Sequence, residues 1–485
     1  MAFCFGSAPE IAAFMVAYRL ANLFRRLFGE GNMQAGFVPQ FESMQGENPK
    51  EALLFYRDAS FSLLAYLFGG VVLIEGVLWG CGAFLEPGWA AISRLAMWMV
   101  PGLIFICLYA LNSAFLQCQK SYFAPAVAPV LFNFAWIAAA VFGARFSLEE
   151  AAFILSCAVV GAFAVQWAMT ALQVRKKLAA HLTWREWFQP RLFSPEWKKL
   201  LKPLTLGIAG IGAMQINSAL DAIFARMADL SGPAYLWFAV RIQQLPLALF
   251  GIALSGALLP PLARAMREGS LTRYHHLLDG ALRYSAALMV PCAFGLLALG
   301  RYGLNLLYGH GQFQPNDVQE TLYCLWGYAI GLIPAVFILI LATGFYARKS
   351  YSIPALASIV SVVFNVLFNA WMVFGFQLGV VSIAIGTSLA ACLNCLILGV
   401  ALHREIGMPP FAGYLARLFV SGSVATAVTF LFSPQGLTRS LFDQFVQFGI
   451  AALLYASSYI GAAYLLKARD LFDLFKRPET ENPRA

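Results

Sequence analysis

The sequence predicts an all-α integral membrane protein with two six-helix lobes related by a parallel repeat, the first helix largely missing, and two further helices towards the C-terminal end. Three observations predict this. Of 485 residues, 60% are hydrophobic and only 12% charged, with a mean hydropathy of +0.70. The apolar residues come in runs of the ~20 residues that a helix needs to cross a bilayer. Two stretches of the chain also repeat each other without gaps.

A soluble domain carries ~25% charged residues. No globular core could bury so much apolar surface, so the bilayer must be the solvent. The net charge of +9 raises nucleic acid as a partner. It is excluded because the basic residues sit in short segments between apolar runs, as in loops facing anionic membrane lipid. The nine cysteines lie in or beside apolar runs and read as packing residues. Cys392 and Cys395 form a C-x-x-C inside an apolar helix with no second ligand pair, which argues against a metal or redox site. Neither a cleavable signal peptide nor a terminal soluble domain is expected.

Thirteen spans are expected, at 9–28, 52–82, 90–118, 123–143, 149–176, 199–228, 233–263, 277–308, 320–346, 351–375, 378–402, 411–433 and 443–466. Positive charge alternates between the loops that join them. The loop 174–202 holds Arg175, Lys176, Lys177, Arg185, Arg191, Lys198, Lys199 and Lys202, whereas 228–234 has neither Lys nor Arg. Loops rich in Lys and Arg stay in the cytoplasm. This puts 174–202, the Arg264–Arg273 loop, Arg348–Lys349, Arg404 and the C-terminal tail on the cytoplasmic side. The span at 9–28 then begins outside, which is awkward without an earlier helix.

The repeat has two parts. From Ala17 to Met44 the chain matches Ala239 to Met266 at an offset of 222, with identities at Arg19/Arg241, Phe28/Phe250, Gly29/Gly251 and Pro39/Pro261. At an offset of 229, Gly102-Leu103-Ile104 matches Gly331-Leu332-Ile333. At the same offset, Lys120-Ser121-Tyr122-x-x-Pro125-Ala126-x-Ala128 matches Lys349-Ser350-Tyr351-x-x-Pro354-Ala355-x-Ala357. Both copies of the second motif sit in loops of the same side, so the repeat axis runs along the membrane normal. Paired helical bundles of this kind are the architecture of alternating-access transporters. The expected organisation is an N-terminal lobe over 1–176, a cytoplasmic linker over 177–198, a C-terminal lobe over 199–403, two extra helices over 404–467 and a cytoplasmic tail over 468–485. The repeat partner of 199–228 would begin upstream of Met1. The native protein is therefore expected to start about two dozen residues earlier, with an arginine-containing helix.

Charges at membrane depth are the candidate functional residues, because an arginine there costs at least ~2.5 kcal/mol and usually faces a partner or a wet cavity. Arg25, Arg26, Arg241 and Arg283 sit in or at the ends of apolar helices, and Glu30 lies in Gly29-Glu30-Gly31. Arginines converging on one cavity suit an anion, since a guanidinium grips phosphate through two parallel hydrogen bonds. For Arg25 and Glu30 a structural ion pair is an equal rival. Asp221, Asn365, Asn369 and Thr387 bring carboxylate, amide and hydroxyl oxygens into apolar helices, with the two asparagines four apart on one face. Such oxygens suit a hard cation such as sodium. Interhelical hydrogen bonding is the alternative. No enzyme is expected: there is no Gly-Lys dipeptide and hence no Walker A loop, the five histidines are scattered, and no loop carries paired acids.

The stretch Arg19-Leu20-Ala21-Asn22-Leu23-Phe24-Arg25-Arg26-Leu27-Phe28-Gly29-Glu30-Gly31, followed by Phe37-Val38-Pro39, resembles the signature of the MurJ (MviN) lipid II flippase family of the MOP transporter superfamily. Phe123-x-x-Pro125-Ala126-x-Ala128-Pro129, Arg241-x-x-x-Leu245-Pro246, Tyr308-Gly309-x-Gly311-x-Phe313 and Gly344-Phe345-Tyr346-Ala347-Arg348 extend the likeness along nearly the whole chain. The resemblance implies fourteen helices, in two lobes of six plus two extra helices, here 411–433 and 443–466. It implies transport of lipid II, an undecaprenyl-diphosphate-linked cell-wall precursor, across the bacterial inner membrane by a monomer. It gives Arg25 and Arg283 cavity-lining roles, with Arg26, Glu30 and Arg241 as further substrate-binding candidates. Asp221, Asn365, Asn369 and Thr387 match a sodium site found in some members. The chain departs from the family at Ala12, where an aspartate is usual, at Ala21, where a proline is usual, and in lacking the first-helix motif.

Overall fold

The computed structural model describes the backbone of residues 1–28, 32–407, 412–434, 436, 438 and 440–468, and their side chains except at 24–28, 32–35, 199–211, 213–214 and 406. These residues form helices joined by short turns. The chain divides into two compact units, essentially 3–226 and 227–485.

The first unit contains α1 (Ala2–Phe5), α2 (Pro9–Phe28), α3 (Asn32–Glu47), α4 (Pro49–Gly82), α5 (Pro87–Met99), α6 (Gly102–Cys118), α7 (Phe123–Gly143), α8 (Leu148–Leu178), the single turn α9 (Trp184–Trp187) and nearly all of α10 (Pro195–Ala228). The second contains α11 (Gly232–Pro246), a π-helical turn (Leu247–Ile252), α12 (Ala253–Arg267), α13 (Leu271–Tyr308), α14 (Pro315–Ile330), α15 (Leu332–Ala347), α16 (Ser352–Ala370), a second π turn (Trp371–Gly375), α17 (Val381–Ile406), α18 (Ala412–Phe432) and α19 (Leu441–Leu465).

Among the described residues, eleven straight or kinked helices are long and apolar enough to cross a membrane. The spans expected at 9–28 and 199–228 also form helices, α2 and α10, but are not among the eleven. α2 carries Glu10, Arg19, Arg25 and Arg26 within 20 residues. Side-chain bonds tie α10 into the first unit: Arg19 Nη1 donates to Ser218 O at 3.2 Å, Gln40 Nε2 to Glu196 O at 3.1 Å and Arg226 Nη1 to Pro9 O at 3.1 Å. The compact units therefore part at the far end of α10 rather than in the 177–198 loop.

The repeat is visible in packing. In the first unit α2 packs on α5, α3 on α6, α4 on α5 and α6, and α5, α6 and α7 on α8. In the second, α11 packs on α14, α12 on α15, α13 on α14 and α15, and α14, α15 and α16 on α17. Asn48 caps α4 and Ser270 caps α13, at the offset of 222. Both units break a span at the same place. α5 gives way to α6 at Val100-Pro101 and α14 to α15 at Gly331. The repeated glycine stands at or beside each break and lets the span approach a neighbouring helix. A Cβ on Gly102 would sit 2.9 Å from the Phe163 ring of α8, and one on Gly331 2.6 Å from Ser388 Oγ of α17. The Lys-Ser-Tyr repeat ends both helices alike. Lys120 and Lys349 adopt left-handed conformations, with φ of 52° and 59°. The next amides, of Ser121 and Ser350, reach back to Leu116 O at 2.8 Å and Phe345 O at 3.0 Å, satisfying carbonyls that the helix end leaves open.

Two features belong to one unit each. In the second, α18 and α19 pack along α13. Tyr455 Oη donates to Pro291 O at 2.7 Å, and Tyr302 Oη to Pro434 O at 2.8 Å. In the first, α4 clamps the segment that follows α8. Arg57 and Asp58 are 5% and 7% exposed and bonded to each other, with Nε–Oδ1 at 2.8 Å. Arg57 Nη1 also donates to Glu186 O, Arg191 N to Asp58 Oδ1 at 3.0 Å and Phe193 N to Ser62 Oγ at 3.0 Å.

Candidate functional site

Helix α13 has 38 residues, about 57 Å at 1.5 Å per residue, so it outreaches a bilayer core of ~30 Å. Its spacing puts His275, Asp279 and Arg283 on one face. Arg283 Nε donates to Asp279 Oδ2 at 2.8 Å, and its guanidinium lies 5.8 Å from the Tyr414 ring of α18. Both side chains are partly buried, at 29% and 23% exposed. The carboxylate one turn away offsets the cost of an arginine in an apolar helix. Asp279 escaped the sequence reading, although an acid four residues before an arginine was the signal that could have found it.

Arg241 is exposed on α11 and stacks on Trp237, one turn back, at 4.6 Å from the ring centroid. Arg241 and Arg283 thus each have a local partner on their own helix. Arg25 and Arg26 belong to α2, but their side chains lie outside the described residues, as does Glu30.

The residues expected to hold sodium lie on α10, α16 and α17. Asn365, Asn369 and Thr387 are in the second unit. Asp221 is in the first, buried and 3.3 Å from Asn217 Nδ2. Within the second unit the two asparagines come together. Both are fully buried on α16, and both point their Oδ1 atoms at Gly386 of α17. A Cβ there would stand 2.5 Å from Asn369 Oδ1 and 3.2 Å from Asn365 Oδ1, so only glycine admits the amides. Thr387 follows directly, half-buried, its hydroxyl donating to Ile383 O at 3.0 Å and keeping acceptor capacity. Two amide oxygens and a hydroxyl fit a hard monovalent cation in donor type. Among the described residues no group of three His, Cys, Asp or Glu could hold a metal ion.

These residues sit on a chain that the family model described as lipid II flippase MurJ matches over residues 1–456. The chain belongs to the MurJ flippase family. A probable lipid II flippase MurJ of Chlamydia muridarum is 31% identical over 98% of this chain and 91% of its own length. The lipid II flippase MurJ of Burkholderia cenocepacia is 29% identical over 95% of this chain and 92% of its own. Among solved structures, a MurJ in an inward closed conformation aligns with TM-score 0.74 at 19% identity, over 98% of this chain and 96% of that one. An inward-facing multidrug resistance MATE transporter of the MOP superfamily aligns with TM-score 0.70 at 16% identity, over 84% and 92%. At such identities the structures speak for the fold alone, and the fold they share is the two-lobe helical one.

MurJ membership gives the repeat its meaning, and the polar residues depart from it. At the offset of 229, Asn365, Asn369 and Thr387 correspond to Trp136, Ala140 and Ala158. Trp136 instead joins an aromatic cluster, 4.7 Å from Tyr18, 5.5 Å from Phe132 and 6.0 Å from Phe14. At the offset of 222, Arg283 corresponds to Phe61. The buried Arg57–Asp58 pair was also missed, although it lies inside the span expected at 52–82, where adjacent charges were the signal.

Proposed function

We propose that this MurJ-family chain flips lipid II, the undecaprenyl-diphosphate-linked cell-wall precursor, across the bacterial inner membrane. The family match across 1–456, on a chain built as a parallel repeat, carries the reading. Its two lobes alternate access to a substrate that is moved without any covalent bond being made or broken. Arg283 and Arg241 of the second unit and Arg25 and Arg26 of the first are the guanidiniums that serve the diphosphate, and Glu30 positions the paired arginines. Asp279 accepts a hydrogen bond from Arg283 and so partners it in the apolar helix. The basic loops, 174–202 foremost, face the cytoplasm together with the C-terminus. The protein works as a monomer.

Sodium, held by Asn365 and Asn369 with Thr387, would supply a fixed positive charge between α16 and α17 of the second lobe. The amide oxygens crowding Gly386 support that assignment. The test of function is growth of a bacterium depleted of its own flippase and expressing this chain. Restored growth with translocated lipid II is expected. Absence of both at normal membrane abundance would overturn the reading, and drug efflux in its place would assign the fold to a different exporter.

A further inference from the structure

The first unit has a half-open cavity of about 730 Å³ lined by α4, α6, α8 and α9, inside the ~300–1,000 Å³ range of small-molecule sites. Phe61, Leu64, Leu108, Trp167 and Val174 supply its apolar wall. The polar groups that reach the wall are spent inside the protein. The Asn112 amide bridges Tyr56 Oη at 2.6 Å and Thr170 Oγ1 at 3.2 Å. Ser60 Oγ donates to Tyr56 O at 2.8 Å, and Thr183 Oγ1 to Glu186 Oε2 at 2.9 Å. What the wall offers is contact for hydrocarbon.

The cavity also has a built side. Trp184 and Trp187 of α9 line one side of it, with Trp187 5.6 Å from the Phe61 ring. That side is held down by Arg57, Asp58 and Ser62, and by an ion pair between Lys50 Nζ and Glu186 Oε1 at 2.6 Å. At the rim stands Arg175, its guanidinium 5.4 Å from the Trp184 ring, with Lys176 and Lys177 exposed beside it. Trp184 and Phe188 are each 66% exposed on this short amphipathic turn. Exposed aromatics next to basic residues, where apolar helices end, mark the level of lipid headgroups. An occupant that suits this lining carries a negative head on an apolar chain.

We propose that the first unit binds one anionic phospholipid of the leaflet bordering this loop, with an acyl chain in the cavity and its phosphate on Arg175. A guanidinium suits a phosphate as a charge-assisted, bidentate donor. This lipid is a resident of the lobe and not the transported cargo, so the proposal stands apart from transport and is read by binding alone.

The experiment is native mass spectrometry of the full chain in detergent, titrated with phosphatidylglycerol or with phosphatidylethanolamine. The wild-type chain should retain one phosphatidylglycerol in preference to phosphatidylethanolamine. Ala171→Trp, which fills the cavity, should lose that single lipid. Arg175→Ala, a change at an exposed position, should weaken phosphatidylglycerol about tenfold and erase the preference, with Tm unchanged. Equal retention of the two lipids by the wild-type chain would overturn the proposal. So would phosphatidylglycerol binding that neither variant alters. If Ala171→Trp does not fold, the Arg175→Ala titration decides alone. Displacement of phosphatidylglycerol by a polyprenyl phosphate at equal concentration would also overturn it, by assigning the cavity to an isoprenoid chain.

Discussion

The two units share a backbone plan and differ in where they place polarity. Each kinks a span at a glycine that lets helix meet helix, and each ends a span on a left-handed lysine in a Lys-Ser-Tyr turn. Yet the register that holds Phe61 in the first unit holds Arg283 in the second, and the register of Trp136 and Ala140 holds Asn365 and Asn369. The first unit uses a buried ion pair, Arg57–Asp58, to hold down a loop. The second pairs Arg283 with Asp279 along one helix and buries Asn365 and Asn369 on another. Duplicated backbone geometry thus survives where packing demands it, while side-chain chemistry is free to diverge between copies.

The largest effect should come from erasing that difference at Arg283. Arg283→Phe, which installs the first unit's residue, should abolish complementation of a flippase-depleted bacterium at normal membrane abundance. Arg283→Lys should restore it only in part, because lysine keeps the charge and loses the two-pronged donor. Hydrogen bonds to charged groups contribute ~1.5–3 kcal/mol, so a loss of about tenfold or more in flipping is expected. Full growth with Arg283→Phe would show that the arginine is only a helix-packing residue.

The next effect concerns the charge of the first unit. Asp58→Ala strands Arg57 in a buried site, and breaking such a pair costs ~3–5 kcal/mol. The Tm should fall, and protease should cut within 183–193 in the folded protein. The neighbouring pair Lys50–Glu186 is exposed and should matter less. Its signature is pH. The hydrogen bond from Lys50, with the Thr183 amide and hydroxyl, pulls the Glu186 carboxyl from 4.5 down to about 2. A depressed carboxylate stabilises the folded state above its unfolded pKa and stops doing so as pH falls through the folded one. Protection of 183–193 should therefore be flat from neutral pH to about 5, then decline between about 4.5 and 2. A decline centred near neutrality would contradict the assignment.

Much of this was legible in the sequence. Apolar runs gave the helices, because in a bilayer the backbone must satisfy itself. The Lys-Ser-Tyr repeat pointed to two turns that the structure contains, whereas the spans expected unbroken at 90–118 and 320–346 each break beside the Gly-Leu-Ile repeat. Arg283 could be singled out because its cost in an apolar run needs a reason. Asp279 was within reach of the same logic. Gly386 was not, since its role is the shape of a neighbour 17 residues or more away in sequence. Neither was the cavity of the first unit, since a void is a property of how α4, α6 and α8 diverge rather than of any motif. Arg241, singled out by the same logic as Arg283, is exposed and stacked on Trp237.

A smaller effect tests the amide pair. Gly386→Ala places a methyl 2.5 Å from Asn369 Oδ1. Overpacking of this kind costs ~1–3 kcal/mol. With sodium chloride in place of choline chloride, the wild-type chain should gain Tm by ligand linkage. Gly386→Ala and Asn365→Ala should lose the gain, and Trp136→Phe in the first unit should keep it. An equal Tm for the wild-type chain in both salts would remove sodium from the comparison and leave the asparagines as interhelical hydrogen-bonding groups.

The smallest effect bears on what the units share. A residue with a Cβ pays roughly 1–2 kcal/mol in the left-handed region, and glycine does not. Lys120 and Lys349 both pay it, at φ of 52° and 59°. Replacing either by glycine removes the charge along with the strain, so the informative comparison is glycine against alanine at each position. Glycine should be the more stable by about 1 kcal/mol at both, since alanine keeps the Cβ and lacks the charge just as glycine does. The two substitutions are in separate units with no shared hydrogen-bond partner, so in one chain their effects should add within about 0.5 kcal/mol. A gain at Lys120 with none at Lys349, or the reverse, would mean that one turn is strained by its own surroundings. The common geometry of the two units would then end at the helix that precedes it.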